Sequence, residues 1–457
     1  MKTIKVRIKG YGLIMSGSKK DTFCILPWIH LYTNTDGTVG PCCVSDYTEF
    51  RDEALSISGR RETNPSVLEA LNSKAMNKVR LDMMKGIENP VCRVCYRREK
   101  LSAGSQRLEK NHSYHLNKDN KKQSLLKNTD KMNGKLKSLQ IEYLDIRFSN
   151  LCNFKCRDCN HYFSSSWWDE AKKLNESRNS SLYDFKKYNK DTLPKVIDAD
   201  EYGGLMEKID PILKSKNLKF IYFAGGEPLI TENHYKVLER LIELKKKPSL
   251  WYNTNFSTLS YKKYNLIKMW KKLLIKPGWD NISLSISLDG MEKRGELLRS
   301  GMKWSKILEN REIIRNECSQ IEINVQFVWQ NSNYLHSIDF FKFLLKSKFV
   351  EYPNNIKIHY LHDPDFMSLK TLLPEDKSKL EEKLNKFKKE IQSKFSVDQC
   401  REFVSHIDGS IRFMNDSDNS HLLPLYFKNM ERLDIMRNEN LLETFPEFLK
   451  IKERLNV

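Results

Sequence analysis

Nowhere in the 457 residues does an apolar run approach the ~20 residues needed to cross a bilayer, which excludes a membrane-spanning helix and gives no membrane partner. The N-terminus, MKTIKVRIKG, carries basic residues but lacks the apolar core and small-residue cleavage site of a signal peptide. A cytoplasmic protein is the expectation. In that compartment ten cysteines do not make a disulfide framework. Their grouping points to metal chemistry, and only Cys318 and Cys400 stand isolated, as small buried hydrophobes do.

The chain is long enough for two or three domains, and 39% hydrophobic with 30% charged residues is ordinary for a globular protein. The formal charge of +19 comes from 78 Lys+Arg against 59 Asp+Glu. Such an excess suits an anionic partner such as nucleic acid. However, the lysines are spread over helix-like segments and interleaved with glutamate (KLEEKLNKFKKE), which is the pattern of solvated helix faces.

The densest feature is Asn150-Leu151-Cys152-Asn153-Phe154-Lys155-Cys156-Arg157-Asp158-Cys159, with three thiols in eight residues spaced Cys-x3-Cys-x2-Cys. It directly follows the strand-like run IEYLDIRF, so the cysteines sit on a loop where a strand ends. Thiolates gathered on one loop select zinc, Cu(I) or iron–sulfur centres. A closed structural zinc site wants four ligands, and three leave one position open. The plain alternative is a zinc knuckle completed by His161.

A second cysteine group lies upstream. Trp28 to Gly40 alternates as a β-hairpin turning at Asp36-Gly37, which brings Cys24 and Cys42 toward one another. A helical stretch over 65–85 follows, ended by Gly86 and Pro90, and then the pair Cys92-x2-Cys95. Cys24, Cys42, Cys92 and Cys95 make a four-thiolate site, with Cys43 the rival of Cys42; the residues alone leave zinc and iron–sulfur open. Residues 117–137, rich in lysine and asparagine, read as an exposed linker.

From residue 139 onward, strand-like runs (140–148, 219–223, 250–253, 282–288, 321–328 and 356–361) alternate with helical patterns. Strands separated by helices imply parallel βα units, whose functional loops lie at the C-terminal strand ends. Those ends carry Gly225-Gly226-Glu227-Pro228, Asn253-Thr254-Asn255, Ser287 with Asp289, and Arg299. Taken singly, the first is a strand-to-helix turn, Asn255 a helix cap and Arg299 a surface ion pair. The stretch 177–199 reads as a surface insertion, 374–394 as an amphipathic helix, and the last ~60 residues as short apolar runs broken by turns.

The cysteine loop together with the Gly-Gly-Glu-Pro element resembles the radical S-adenosylmethionine (SAM) superfamily. There Cys152, Cys156 and Cys159 would hold a 4Fe-4S cluster whose fourth iron binds SAM. Family members usually place an aromatic residue before the third cysteine, where this chain has Asp158. The resemblance implies a partial (β/α)6 TIM-like barrel within an α/β fold, with Gly225, Gly226, Glu227, Pro228, Ser287 and Arg299 binding SAM. Cys24, Cys42, Cys92 and Cys95, with the segment Glu99, Gly104, Ser105 and Arg107, resemble the twitch or SPASM-type module of peptide-modifying members. That module would hold one auxiliary 4Fe-4S cluster, and here it precedes the barrel.

The implied organisation is a module over 1–116, the linker over 117–137, the barrel over 138–370 and a mostly helical extension over 371–457. The implied reaction is reductive cleavage of SAM to a 5′-deoxyadenosyl radical that abstracts hydrogen from a peptide or protein. The electron would come from a low-potential donor such as flavodoxin or ferredoxin. A nucleotide, sugar or other small molecule is the alternative substrate, and a basic zinc-containing RNA-binding module without turnover is the alternative of another class.

Overall fold

A computed structural model describes residues 21–58, 64–100, 104–116, 120–176, 194–275 and 281–455. Its centre is an eight-stranded sheet made of β1 (His30–Thr33), β2 (Val39–Gly40), β3 (Tyr143–Arg147), β4 (Phe220–Ala224), β5 (Ser249–Thr254), β6 (Ile282–Ser287), β7 (Glu322–Trp329) and β8 (Ile356–Tyr360). The spatial order is β8-β7-β6-β5-β4-β3-β1-β2. All neighbours are parallel except β1 and β2. The fold is therefore α/β with a mostly parallel sheet, and the six strand-like runs each appear within a few residues of their expected bounds.

Side-chain alternation along these strands sorts the two faces. Paired rows such as Leu144, Ile221, Leu250 and Ile282 lie on the apolar face. Helices Glu232–Glu243, Leu266–Leu273 and Ser337–Lys346 cover it, His234 meeting Phe223, Trp270 meeting Tyr252 and Phe341 meeting Phe327. The opposite face carries Tyr32, Asp145, Arg147, Tyr222, Asn253, Ser285, Ser287 and Gln326. Parallel strands aim their C-terminal ends one way, so the loops after β3 to β7 gather at one edge of this polar face.

The N-terminal hairpin joins the same sheet. β1 pairs in parallel with β3, from His30 opposite Tyr143 to Thr33 opposite Ile146. One hydrophobic core runs from Phe23 to Ile451. The helical stretch expected over 65–85 is two helices, Val67–Leu71 and Lys74–Lys85, broken where Ser73 caps the second, and Gly86 ends it in the left-handed conformation.

The stretch read as an exposed linker is folded where described. Helix Lys121–Lys127 buries Leu125, Leu136 is also buried, Trp28 Nε1 donates to Thr129 Oγ1 at 2.8 Å, and Arg80 Nε donates to the Gly134 carbonyl at 2.7 Å. Two leucines and one backbone carbonyl offered to a buried arginine outweigh the polar composition. Most of the insertion expected over 177–199 lies outside the described residues, but Ile197 and Ala199 are buried and bond back to Asn150 and Phe148.

The C-terminal segment is helical throughout its main elements: Pro374–Lys394, Val397–Asn415, Leu423–Arg437, Leu441–Thr444 and Glu447–Leu455. Leu380, Leu384, Phe387 and Ile391 bury one stripe of the first, as its periodicity predicts. The turns expected around Gly409 are instead mid-helix. A Cβ at Gly409 would lie 2.2 Å from the Tyr360 hydroxyl oxygen, so the glycine permits a close crossing. Among the described residues no helix is long and apolar enough to cross a membrane.

Candidate metal centres

The first thiol group lies on the loop leaving β3. Short ribbons and turns hold this loop, and each contact falls beside a cysteine. Lys155–Cys156 pairs antiparallel with Arg299–Ser300, placing Arg299 opposite Cys156. Ser165 Oγ accepts from Cys152 N at 3.3 Å, Ser166 Oγ donates to the Cys152 carbonyl at 2.6 Å, and Trp167 Nε1 donates to the Cys156 carbonyl at 3.0 Å.

Gly225-Gly226-Glu227-Pro228, after β4, grips the same loop through its backbone. Gly226 N donates to the Ser149 carbonyl at 2.9 Å and Glu227 N to the Leu151 carbonyl at 2.7 Å. A Cβ on Gly226 would sit 2.3 Å from the Leu151 carbonyl oxygen, so only glycine admits this approach. The Glu227 side chain turns inward. It accepts from Thr254 Oγ1 at 2.7 Å, Asn255 N at 2.6 Å and Leu229 N at 3.0 Å, and burial pushes its pKa up to about 7 against those bonds. Its visible role is to tie the end of β5 to the end of β4.

Asn255 is not a helix cap. Its Nδ2 donates to Asn153 Oδ1 at 2.9 Å and lies 3.8 Å from Cys152 Sγ, which ties the end of β5 to the cysteine loop. Ser287 Oγ donates to Asn253 Oδ1 at 3.2 Å on the polar face. Arg299 forms no surface ion pair; it is 8% exposed, with Nε 2.8 Å from Asp289 Oδ2 and Nη1 3.6 Å from Cys156 Sγ. Asp289 accepts from Val328 N at 2.8 Å and faces this guanidinium.

The three thiols feel one another. Burial pushes Cys159 up to about 12, with the charges of Asp158 and Cys152 adding to it. Burial likewise raises Cys156 far above the ordinary thiol range, while Arg299 opposes the shift. Cys152 is raised by burial, and the Phe154 amide opposes. Desolvated thiols facing one another fit a cationic metal group that takes them as thiolates.

The second group lines one pocket, where Cys24, Cys42, Cys92 and Cys95 meet Met83, Gln106 and Arg107. Burial pushes Cys24 up to about 12 and raises Cys42 well above the usual range, with Cys43, Cys24, Cys92 and Cys95 all adding to Cys42. Cys43 is outside the lining. Its thiol lies 3.7 Å from Gln106 Nε2 and within the fields of Asp145 and Arg147. Of the two adjacent thiols, Cys42 alone lines this pocket.

Glu99 and Arg107 brace the pocket. Arg107 Nη2 is 2.5 Å and Nε 3.0 Å from the Glu99 carboxylate, Ser105 Oγ donates to Glu99 at 2.5 Å, and Arg107 Nη1 donates to the Phe23 carbonyl at 2.9 Å. Glu99, Ser105 and Arg107 thus fold back over the thiols they follow in sequence.

Among the described residues no group of three or more His, Cys, Asp and Glu is drawn tightly enough for a single metal ion. The ring of His161 packs 6.0 Å from that of Trp168.

Residues 24–96 match the family model of the SPASM iron–sulfur cluster-binding domain. No curated protein matches the chain. Among solved structures, native anSMEcpe with bound AdoMet is 18% identical over 54% of this chain and 60% of that one, with a TM-score of 0.36. Streptococcus suis SuiB is 15% identical over 69% of this chain and 62% of that one, with a TM-score of 0.34. SuiB bound to its precursor peptide SuiA is 13% identical over 71% and 63%, with a TM-score of 0.30. The chain covers less than two thirds of each of these proteins. The similarity of the N-terminal cysteine segment to an iron–sulfur module is thereby borne out.

Proposed function

We propose that this protein is a radical SAM enzyme with an N-terminal auxiliary iron–sulfur module, acting on a peptide or protein substrate. The observation that carries the proposal is the three-thiol loop after β3, held by the backbone of Gly225-Gly226-Glu227 from β4. In this reading β3 to β8 form the partial (β/α)6 barrel, and its polar face receives the substrate. Cys152, Cys156 and Cys159 would hold a 4Fe-4S cluster, and Cys24, Cys42, Cys92 and Cys95 a second.

When bound, the first cluster with SAM supplies reductive cleavage of the sulfonium to methionine and a 5′-deoxyadenosyl radical, which abstracts hydrogen from the substrate. The chain itself orients and shields. The Gly225–Pro228 segment fixes the cysteine loop, and Asn255 and Arg299 place donors beside Cys152 and Cys156. Ser287, on the polar face and bonded to Asn253, would help hold SAM. Arg147, at the end of β3 and stacked 5.3 Å over Tyr32, offers a guanidinium to that face. The peptide substrate rests on the class of module that residues 24–96 match, and the electron donor is a flavodoxin- or ferredoxin-type protein.

The test is anaerobic reconstitution with iron and sulfide, followed by dithionite and SAM. The reading expects 5′-deoxyadenosine from the native sequence and none from Cys156→Ala. A colourless, zinc-loaded preparation that leaves SAM intact would end it.

A further inference from the structure

The end of the C-terminal helix Leu423–Arg437 reaches the cysteine loop from outside the strand ends that otherwise form the site. Arg437 is the centre of that contact. Its side chain is 1% exposed, and Nη1 donates to the Lys155 carbonyl at 2.8 Å and to Ser300 Oγ at 3.0 Å. It therefore holds both strands of the ribbon that sets Arg299 opposite Cys156. Nε and Nη2 take the Glu170 carboxylate at 3.0 and 2.8 Å. The guanidinium lies 4.4 Å over the Trp167 ring, the same ring whose Nε1 donates to the Cys156 carbonyl.

A second contact arrives independently from the loop itself. Arg157, between the second and third cysteines, has a fully buried side chain that extends to Asp434 and, at 2.8 Å, to Glu439. Helix end and cysteine loop thus exchange arginines in both directions. Planar guanidinium forks that each serve several oxygens fix orientation, where a single ammonium would not.

We infer that Arg437 is a positioning residue for the Cys156 thiolate, acting through the Lys155–Cys156/Arg299–Ser300 ribbon and Trp167. This rests on the reading that Cys152, Cys156 and Cys159 hold a cluster. Loss of Arg437 frees the ribbon and leaves Glu170 with less neutralising charge, so electron uptake near Cys156 becomes harder.

The experiment compares reconstituted full-length protein with Arg437→Gln, Arg437→Lys and, as a control in the same extension, Arg454→Gln, whose partners Glu375 and Asp376 lie away from the loop. Three readouts are taken: the electron paramagnetic resonance spectrum of the reduced cluster, its midpoint potential, and the rate of iron loss to a chelator. Arg437→Gln is expected to lose the Cys156-dependent iron at least several-fold faster, with a changed spectrum and a more negative potential. Arg437→Lys should fall between, and Arg454→Gln should match the native sequence. Should Arg437→Gln fail to fold, Arg437→Lys and Asp434→Asn carry the same three measurements. Native-like spectrum, potential and chelation rate in the folded Arg437 variants overturn the inference. Native protein that takes up no Cys156-dependent cluster overturns the functional reading instead.

Discussion

Arg299 and Cys156 meet twice: their backbones pair across a two-residue ribbon, and the Arg299 Nη1 lies 3.6 Å from the Cys156 sulfur. The same guanidinium sits 2.8 Å from Asp289, whose side chain is fully buried. The thiol, the cation and the carboxylate therefore form one chain that links the loop after β3 to the segment after β6. Arg299→Met removes the only cation facing Asp289 in that chain and is expected to cost about 3–5 kcal/mol, the usual penalty for stranding a buried charge. Adding Asp289→Asn should recover part of it. Denaturant unfolding of the two single variants and the double variant measures the coupling.

Gly226 sets a second test. Alanine there needs the Leu151 carbonyl, 2.3 Å from the new Cβ, to move. Overpacking of this kind costs roughly 1–3 kcal/mol. Because the displaced backbone leads directly into Cys152, Gly226→Ala should lower iron bound at the first thiol group while sparing the N-terminal pocket. Iron and sulfide quantitation on Gly226→Ala, alone and combined with Cys92→Ser, separates the two sites.

The N-terminal pocket distinguishes adjacent cysteines. Cys42 lines it and Cys43 does not. Cys42→Ser should lose the iron that survives a Cys152/Cys156/Cys159 triple variant, and Cys43→Ser should keep it. Equal loss in both would show that the lining is not the ligand set.

His234 predicts the acid limb of stability. It is fully buried against Phe223 and Tyr235, hydrogen-bonds Tyr252 through Nε2 at 3.2 Å, and desolvation pushes its pKa down to about 3. The folded value lies below the unfolded one, so the unfolded chain binds the extra proton between about pH 3 and 6.5. Stability from this group is present above that window and is lost as pH falls through it, by at most about 1.4 kcal/mol per pH unit. Urea titrations from pH 7 to 4 should show a shallower decline for His234→Phe than for the native sequence.

The strands of the α/β fold were legible because each is a short apolar run bounded by a helix-period segment, and both signals agree. Both thiol groups were legible from spacing alone. What escaped is what depends on tertiary approach. Leu125 and Leu136 gave too weak a pattern to reveal a folded segment, and Gly409 looked like a turn because its need, room for Tyr360, lies 49 residues away in sequence. Glu227 and Arg299 were placed at the right strand ends, but their side chains spend themselves on Thr254, Asn255, Asp289 and Cys156. Arg157 and Arg437 carried no local signal, since a buried arginine shows in sequence only as one more basic residue in a chain with an excess of them.

The pairing of His30–Thr33 with Tyr143–Arg147 joins segments 113 residues apart. During synthesis the hairpin that delivers Cys42 emerges long before the strand it leans on, so its outer thiols wait on an unsupported edge. The hairpin that delivers Cys42 therefore gains its sheet neighbour only when β3 arrives, late in synthesis of the N-terminal third of the chain.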